Sequence, residues 1–353
     1  MAQSSQSSAA RKKRTAIDFF SGIGAMHFSA KRAGITVTAA FDGNVTANIV
    51  YAHNFEIRPH VIDMQQITEG DIREIDADCW LLSSPCHPSA LVAQRQSGDL
   101  GTKGLSRLLG ILYDMKKPPK YIFIEDVVGF EMLGIHDRLV ATVSHRGYAF
   151  QEFILSPTQV GLPNQAPRYF FMAKSPDCGQ FLCPQLGTRI SRVVPLMSSE
   201  PQHVLAFSKI RPLRYFLEQD LQPKDSEAFP VPSEVIKKHG LYLDIVTPDS
   251  RRSRAFTKAY THFAENSGSV IRMVQATFED RACCVADPDS VHSEEDLLSW
   301  NLRYFTPREI AALHGFPPDF TFPEKISMRQ KYRLLGQCGN VIVMEHLLKY
   351  LFS

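Results

Sequence analysis

The sequence predicts an α/β fold, a doubly wound parallel sheet with a smaller second lobe inserted into it. Three observations carry the prediction. Short apolar runs alternate with helix-spaced segments from Thr15 to about Ser175. The alternation lapses into scattered prolines between Cys178 and Val231, and it returns near Arg303. Strands that alternate with helices build a parallel sheet covered by helices on both faces.

Taken in order, Thr15 to Ser21 reads as a buried strand ending in a turn, because Ala-Ile-Asp-Phe-Phe is apolar but for one residue. Gly22-Ile-Gly24 breaks it, and Ala25 to Arg32 follows with helical spacing. Val37 to Phe41 is a second strand closed by Asp42, and Ala47 to Asn54 is helix-spaced again. Cys79 to Leu82 is a third strand, interrupted by Ser83-Ser84-Pro85. Leu105, Leu108, Leu109 and Leu112 repeat at three and four residues and predict a helix over Leu105 to Met115. Tyr121 to Ile124 is a strand, His136 to His145 a helix, and Tyr148 to Leu155 and Arg168 to Ala173 are two further strands. Near the C-terminus Pro307 to His314 predicts a helix, and Val341-Ile-Val-Met344 a strand. The expected division is a flexible basic tail over 1–14, a sheet domain over 15–175 and 301–353, and an inserted lobe over 176–300.

Composition narrows the function classes. The formal net charge is only +2, from 39 Lys and Arg against 37 Asp and Glu, which excludes a whole-protein polycation. A local basic patch still suffices for nucleic acid. The 7 cysteines are odd in number and contain no Cys-x-x-Cys pair, so reduced thiols are expected rather than a disulfide framework or a metal site. No apolar run approaches the length of a membrane span, and the polar, Ser-rich start lacks a signal-peptide pattern. A cytoplasmic or nuclear monomer is expected. Arg11-Lys12-Lys13-Arg14 reads first as a solubilising tail, with a nuclear signal or a phosphate-touching arm as the functional alternatives.

In doubly wound sheets ligands sit beyond the carboxyl ends of the strands, and the chemically interesting residues fall there. Gly22-Ile-Gly24 stands between a strand and a helix start, where the backbone can approach a ligand and free N–H groups point outward. Asp42 ends the next strand, where an acid can accept from ribose hydroxyls, and Asp63 can accept from an adenine amine. Together they predict an adenosine-type cofactor. In Ser84-Pro85-Cys86-His87-Pro88 two prolines fix the backbone on either side of a thiol, which suits either a nucleophile or a buried structural cysteine. Glu125 tips an apolar strand, and Arg168 begins a later one. Arg251, Arg252, Arg254 and Lys258 form a stretch with no acid among them, either a phosphate contact or a solvated loop.

These motifs occur in a telling order. Phe20-Ser-Gly-Ile-Gly-Ala-Met-His27, Pro85-Cys86, Glu125-Asp-Val-Val-Gly-Phe130, Leu155-Ser-Pro-Thr158 and Asn164 through Arg168-Tyr-Phe170 follow the order found in cytosine carbon-5 methyltransferases. Phe256-Thr-Lys-Ala-Tyr-Thr-His262 with Gly268-Ser-Val270, Tyr304-Phe-Thr-Pro-Arg-Glu-Ile310 with Gly315-Phe-Pro-Pro318, and Tyr332-Arg-Leu-Leu-Gly336 with Asn340-Val341 resemble the branch of DNA-methyltransferase-2 type. That branch methylates an anticodon-loop cytosine of tRNA-Asp. The resemblance implies a Rossmann-like class I methyltransferase sheet with a target-recognition lobe. It implies S-adenosylmethionine held by Phe20, Gly22, Gly24, Asp42, Asp63 and Asn340. It also implies Cys86 as nucleophile at cytosine carbon 6, Glu125 at N3 and Arg168 at O2. Transfer to tRNA is the first expectation and transfer to DNA the second. A homologue that has lost turnover and binds RNA or a protein is the alternative.

The departures from the family pattern cluster around the site. They are His87 and Ser89 beside the nucleophile, Asp126 in place of an amide, and Thr102-Lys103-Gly104 where Asp-x-Arg is usual. Further on stand Ala166, Ala255 and Gln337-Cys338. Asp126 beside Glu125 is expected to raise a carboxyl pKa by like-charge repulsion.

Overall fold

The computed structural model describes residues 14–83, 100–195, 210–218, 229–263, 265–272 and 294–353. Cys86, His87, Ser89 and the tail before Arg14 lie outside the described residues.

Six strands form the main sheet: β1 (Thr15–Phe19), β2 (Thr36–Phe41), β3 (Cys79–Ser83), β4 (Tyr121–Val127), β5 (Ala149–Leu155) and β6 (Arg168–Lys174). Their spatial order is β2-β1-β3-β4-β6-β5. Side chains alternate across each strand and feed two cores. Ala16, Cys79, Leu81, Tyr121 and Phe123 face one core, and Ile17, Phe19, Trp80, Leu82, Ile122 and Ile124 face the other. The helices α1 (Ala25–Arg32), α2 (Val45–Asn54), α3 (Glu69–Arg73), α4 (Leu100–Asp114) and α5 (Gly134–His145) follow their strands in sequence. Leu105, Leu108, Leu109 and Leu112 of α4 and Leu139 and Val143 of α5 bury against the second core. The predicted helical spacing thus becomes the buried stripe.

Two expectations are corrected. The sheet is mixed, because β6 runs antiparallel to both β4 and β5. Strand composition does not encode direction, and the connection after Leu155 is long enough to return the chain either way. Val341–Leu351 is also a helix rather than a strand. Asn340 caps it by accepting from the Ile342 and Val343 amides at 3.0 and 3.2 Å. Val341, Val343, Met344, Leu347, Leu348, Tyr350 and Leu351 are all buried. A four-residue apolar run fits a buried strand and a buried helix equally well, so length and the cap decide.

A second sheet has the order β7-β8-β9, from β7 (Asp244–Val246), β8 (Ser269–Arg272) and β9 (Leu302–Tyr304). The chain therefore completes this small sheet after residue 301 before α6 to α10 are finished: α6 (Ser233–His239) and α7 (Glu294–Ser299) precede β9, while α8 (Pro307–Leu313), α9 (Met328–Leu335) and α10 (Val341–Leu351) follow it. Arg303 of β9 grips Glu309 of α8 in a buried two-point ion pair at 2.9 and 2.8 Å. That pair fixes the small sheet to the C-terminal helices.

Candidate active site

β1 ends in a turn whose backbone is left-handed at Phe20, Gly22 and Gly24, with φ of 55°, 53° and 90°. A side chain in that region costs about 1–3 kcal/mol and persists only where its surroundings hold it. Phe20 is held by contact: a Cβ on Gly104 would stand 3.1 Å from its ring. Gly24 could not carry a Cβ either, which would come within 2.3 Å of the Phe55 ring. Phe55 in turn stacks on His27 at 3.8 Å, and His27 meets the Tyr51 hydroxyl at 2.6 Å. Burial pushes the His27 imidazole down to about 4, so it is neutral at pH 7.

Asp42, at the tip of β2, accepts from the Gly22 amide at 2.8 Å and the Asn44 amide at 2.6 Å. It locks the glycine turn to the second strand. Burial raises its carboxyl above the ordinary range, and these two backbone N–H groups pull it back. Asp18, in the strand that leads into the same turn, is wholly buried, and neither carboxyl oxygen has a hydrogen-bond partner among the described residues. Burial first, and then the charge of Asp42, push its pKa well up.

Glu125 occupies the carboxyl end of β4 opposite Ser83 of β3. It is 4% exposed. The antiparallel direction of β6 matters here, because Arg168 begins that strand and pairs with Val127 near the end of β4. A parallel β6 would start at the opposite edge. Arg168 Nε stands 3.2 Å from Glu125 Oε1. Burial raises the Glu125 carboxyl, while Arg168 and the Ser83 hydroxyl draw it down. The carboxyl is therefore raised by desolvation, where like-charge repulsion from Asp126 was the expected cause. Gly339 approaches from the C-terminal segment, and a Cβ there would stand 2.9 Å from the Glu125 carboxyl carbon.

One cavity of about 760 Å³ joins these features. Phe20, Gly22, Asp42 and Asp63 line one part, and Glu125 and Arg168 another. Lys258 lines it as well, beside Ala255, Phe256 and Thr257. Gly24 and Asn340 are not lining residues: Gly24 serves close packing on Phe55, and Asn340 serves as the α10 cap. The basic stretch is partly neutralised. Arg252 pairs with Asp244 at 2.6 Å, Arg254 lies 3.7 Å from the same carboxylate, and Arg251 donates to the Ile210 carbonyl. Its neutralising acid comes from β7, outside the stretch itself, which is why the sequence shows four adjacent uncompensated charges.

Sequence reasoning missed Ser83, Gly336 and Gly339 as site-builders. Gly336 ends α9 against the 257–258 backbone, where a Cβ would come within 2.2 Å of the Thr257 carbonyl carbon. Only the glycine itself signals such a contact, and its partner is far away in the chain.

A family model described as C-5 cytosine-specific DNA methylase matches residues 14–353. The chain belongs to this family. Among curated relatives of this C-5 cytosine methylase is a Homo sapiens protein named tRNA (cytosine(38)-C(5))-methyltransferase. It is 34% identical over 391 residues, covering 96% of this chain and 98% of the relative. A Dictyostelium discoideum protein named DNA (cytosine-5)-methyltransferase is 31% identical over 366 residues, covering 96% and 94%. The crystal structure of a Spodoptera frugiperda DNMT2 triple mutant superposes with a TM-score of 0.80 at 31% identity, covering 97% and 100% of the two chains. The methylase has the class I methyltransferase fold. Among the described residues no cluster of metal-ligating side chains occurs, and no helix is long and apolar enough to cross a membrane.

Proposed function

We propose that this methylase transfers a methyl group from S-adenosylmethionine to carbon 5 of a cytosine in a tRNA anticodon loop, with DNA cytosine as the second substrate choice. The observation that carries the reading is one cavity whose lining includes both a glycine-turn cradle with two carboxylates, Asp42 and Asp63, and the Glu125–Arg168 pair. The cradle suits an adenosine cofactor. Gly22 leaves its backbone open, and Gly104 leaves room where a Cβ would stand 2.8 Å from the Met64 Cβ. Phe20, Gly22, Asp42 and Asp63 would hold the cofactor, with Gly24 and Asn340 supporting from behind. S-adenosylmethionine supplies, when bound, a methyl group made electrophilic by its sulfonium sulfur.

The chain's own residues do the rest. The Cys86 thiolate adds to cytosine carbon 6 and makes carbon 5 nucleophilic. The strand leading to Cys86 ends at Ser83, whose hydroxyl bonds Glu125. Glu125, whose carboxyl burial raises above its ordinary range, donates to N3 as electron density moves into the ring. Arg168 orients that carboxyl and faces O2. After methyl transfer water takes the carbon-5 proton, the carbon–sulfur bond breaks to release the Cys86 thiolate, and the N3 proton returns to Glu125. The base must leave its stack to enter, at a cost of a few kcal/mol that is least for a loop nucleotide. Relatives named for tRNA, from Homo sapiens at 34% identity to Schizosaccharomyces pombe at 29%, stand beside one named for DNA at 31%, and they support RNA as the first choice. Binding without turnover is not favoured, since the acid and its arginine both stand at the cavity wall.

Methyl-labelled S-adenosylmethionine incubated with tRNA or duplex DNA should label the tRNA, and Cys86→Ala should abolish the signal. Label in DNA alone would overturn the choice of substrate. Cofactor and tRNA binding without transfer between about pH 6 and 9 would favour the binding role.

A further inference from the structure

A second concavity, of about 360 Å³, lies on the outer face of α4 and α5 and is lined by Gln65, Lys103, Ser106, Arg107, Gly110 and Arg138. Three of its six lining residues are cations, and none is a carboxylate. None of the three pairs with a carboxylate among the described residues. Two of the heads are nevertheless positioned. Arg107 Nε donates to the Ile67 carbonyl at 2.8 Å, which sets its guanidinium against the wall. Arg138 Nη1 donates to the Ser106 hydroxyl. Its Nη2 lies 3.8 Å from where a residue-110 Cβ would stand, an ordinary contact distance, so the guanidinium lies across α4 beside Gly110. Asp137, next to Arg138 in the chain, turns to His136 instead, at 3.4 Å.

The concavity adjoins the methylase cavity. Gln65 lines both, and Gly104, which follows Lys103, lines the larger one. The stretch Thr102-Lys103-Gly104 therefore has two uses: Gly104 admits the Phe20 ring, and Lys103 delivers charge to the outer face. Convergent, unneutralised guanidinium and ammonium groups with oriented N–H donors are the chemistry of phosphate recognition. A polynucleotide whose base enters the larger cavity must run its backbone along the rim.

We propose that Lys103, Arg107 and Arg138 form a phosphodiester-binding subsite that holds the RNA strand near the target cytosine. The proposal rests on the functional reading above. It extends the basic surface beyond Arg251 to Lys258, where Asp244 already neutralises part of the charge.

The test uses the full chain and the double variant Lys103→Ala/Arg138→Ala. Both residues are exposed on helices, and alanine favours helix, so the variant should fold and bind S-adenosylmethionine as the parent does. Affinity for an anticodon stem-loop RNA is measured against salt. The log–log slope should become shallower by about 0.7 for each phosphate no longer neutralised. Neutral methylphosphonate linkages are then placed one at a time through the loop. In the parent, one or two linkages near the target cytosine should weaken binding several-fold, and in the variant those same linkages should be silent. An unchanged slope, or a variant that still feels every linkage as the parent does, would overturn the subsite. So would a result in which inorganic phosphate loses binding in the variant while the linkage scan does not change, because that describes a free-anion site. Methyl transfer by the parent is scored separately, so a chain that methylates tRNA with an unchanged scan loses the subsite and keeps the function.

Discussion

Glu125→Gln should lower kcat/KM by about 10²–10⁴-fold, the usual yield of a positioned proton donor, while S-adenosylmethionine affinity stays near that of the parent. Glutamine keeps the shape and can still donate an N–H, but it cannot pass a proton to N3. The fold should tolerate the change, because glutamine has the same shape and its amide oxygen can still face Arg168. Burial holds the Glu125 carboxyl above the ordinary glutamate value, so its proton persists to higher pH than in a free side chain. The catalytically useful form is present below that raised value and lost as pH rises through it. The stability sign agrees. Ionising a carboxyl whose folded pKa is raised costs stability as pH climbs from the unfolded value of about 4.3 toward the folded one. A pH–rate profile of parent and variant checks this: the parent should show an alkaline limb that the glutamine variant lacks. Equal profiles would remove Glu125 from proton transfer.

Gly336→Ala should damage the site from the opposite wall. The helical backbone at Gly336, φ −66°, accepts alanine without strain, so the obstacle is packing alone. A Cβ there would lie 2.2 Å from the Thr257 carbonyl carbon and 2.3 Å from the Lys258 nitrogen. Backbone cannot rotate away as a side-chain tip can. The 255–259 segment, which lines the cavity, must move, and overpacking of this kind costs about 1–3 kcal/mol. The expected result is a fall of several degrees in Tm with at least a tenfold loss of kcat/KM. Gly134→Ala is the matched control, since a Cβ there meets nothing within 4 Å. An unaltered kcat/KM in Gly336→Ala would mean that this contact does not shape the cavity.

The legible part of the fold was the part written locally. Apolar runs marked β1 to β6 within a few residues, most plainly the central strands β1, β3, β4 and β6, which feed both cores and need a near-continuous run; the edge strands β2 and β5 keep exposed or half-exposed positions. The leucine spacing of α4 became its buried stripe. What escaped was tertiary. Nothing near Arg168 encodes whether its strand runs with or against β4, yet that direction alone brings it to Glu125. Val341-Ile-Val-Met344 is compatible with either period, and the deciding cap is a single Asn340 side chain. Asp126 suggested a charge effect by adjacency, whereas the largest cause at Glu125 is burial. The four cations from Arg251 to Lys258 looked uncompensated because Asp244 reaches them from another element. In the site, Phe20, Gly22, Asp42, Asp63, Glu125, Arg168 and Lys258 line one cavity, Gly24, Asn340, Arg251, Arg252 and Arg254 do not, and Cys86 lies outside the described residues. The glycines Gly104, Gly336 and Gly339 are intelligible only once their distant neighbours are known.

The proposed reaction requires that a covalent bond from Cys86 activates the cytosine while Glu125 and Arg168 hold the ring. An anticodon stem-loop RNA carrying 5-fluorocytosine at the target position tests it most directly. Fluorine leaves no proton to lose from carbon 5 after methyl transfer, so elimination stops and the enzyme remains attached. With S-adenosylmethionine present, mass spectrometry of the digested complex should find the nucleotide on the peptide containing Cys86, in the parent and not in Cys86→Ala. A protein that methylates ordinary tRNA yet forms no adduct, or forms one at another cysteine, would contradict the account.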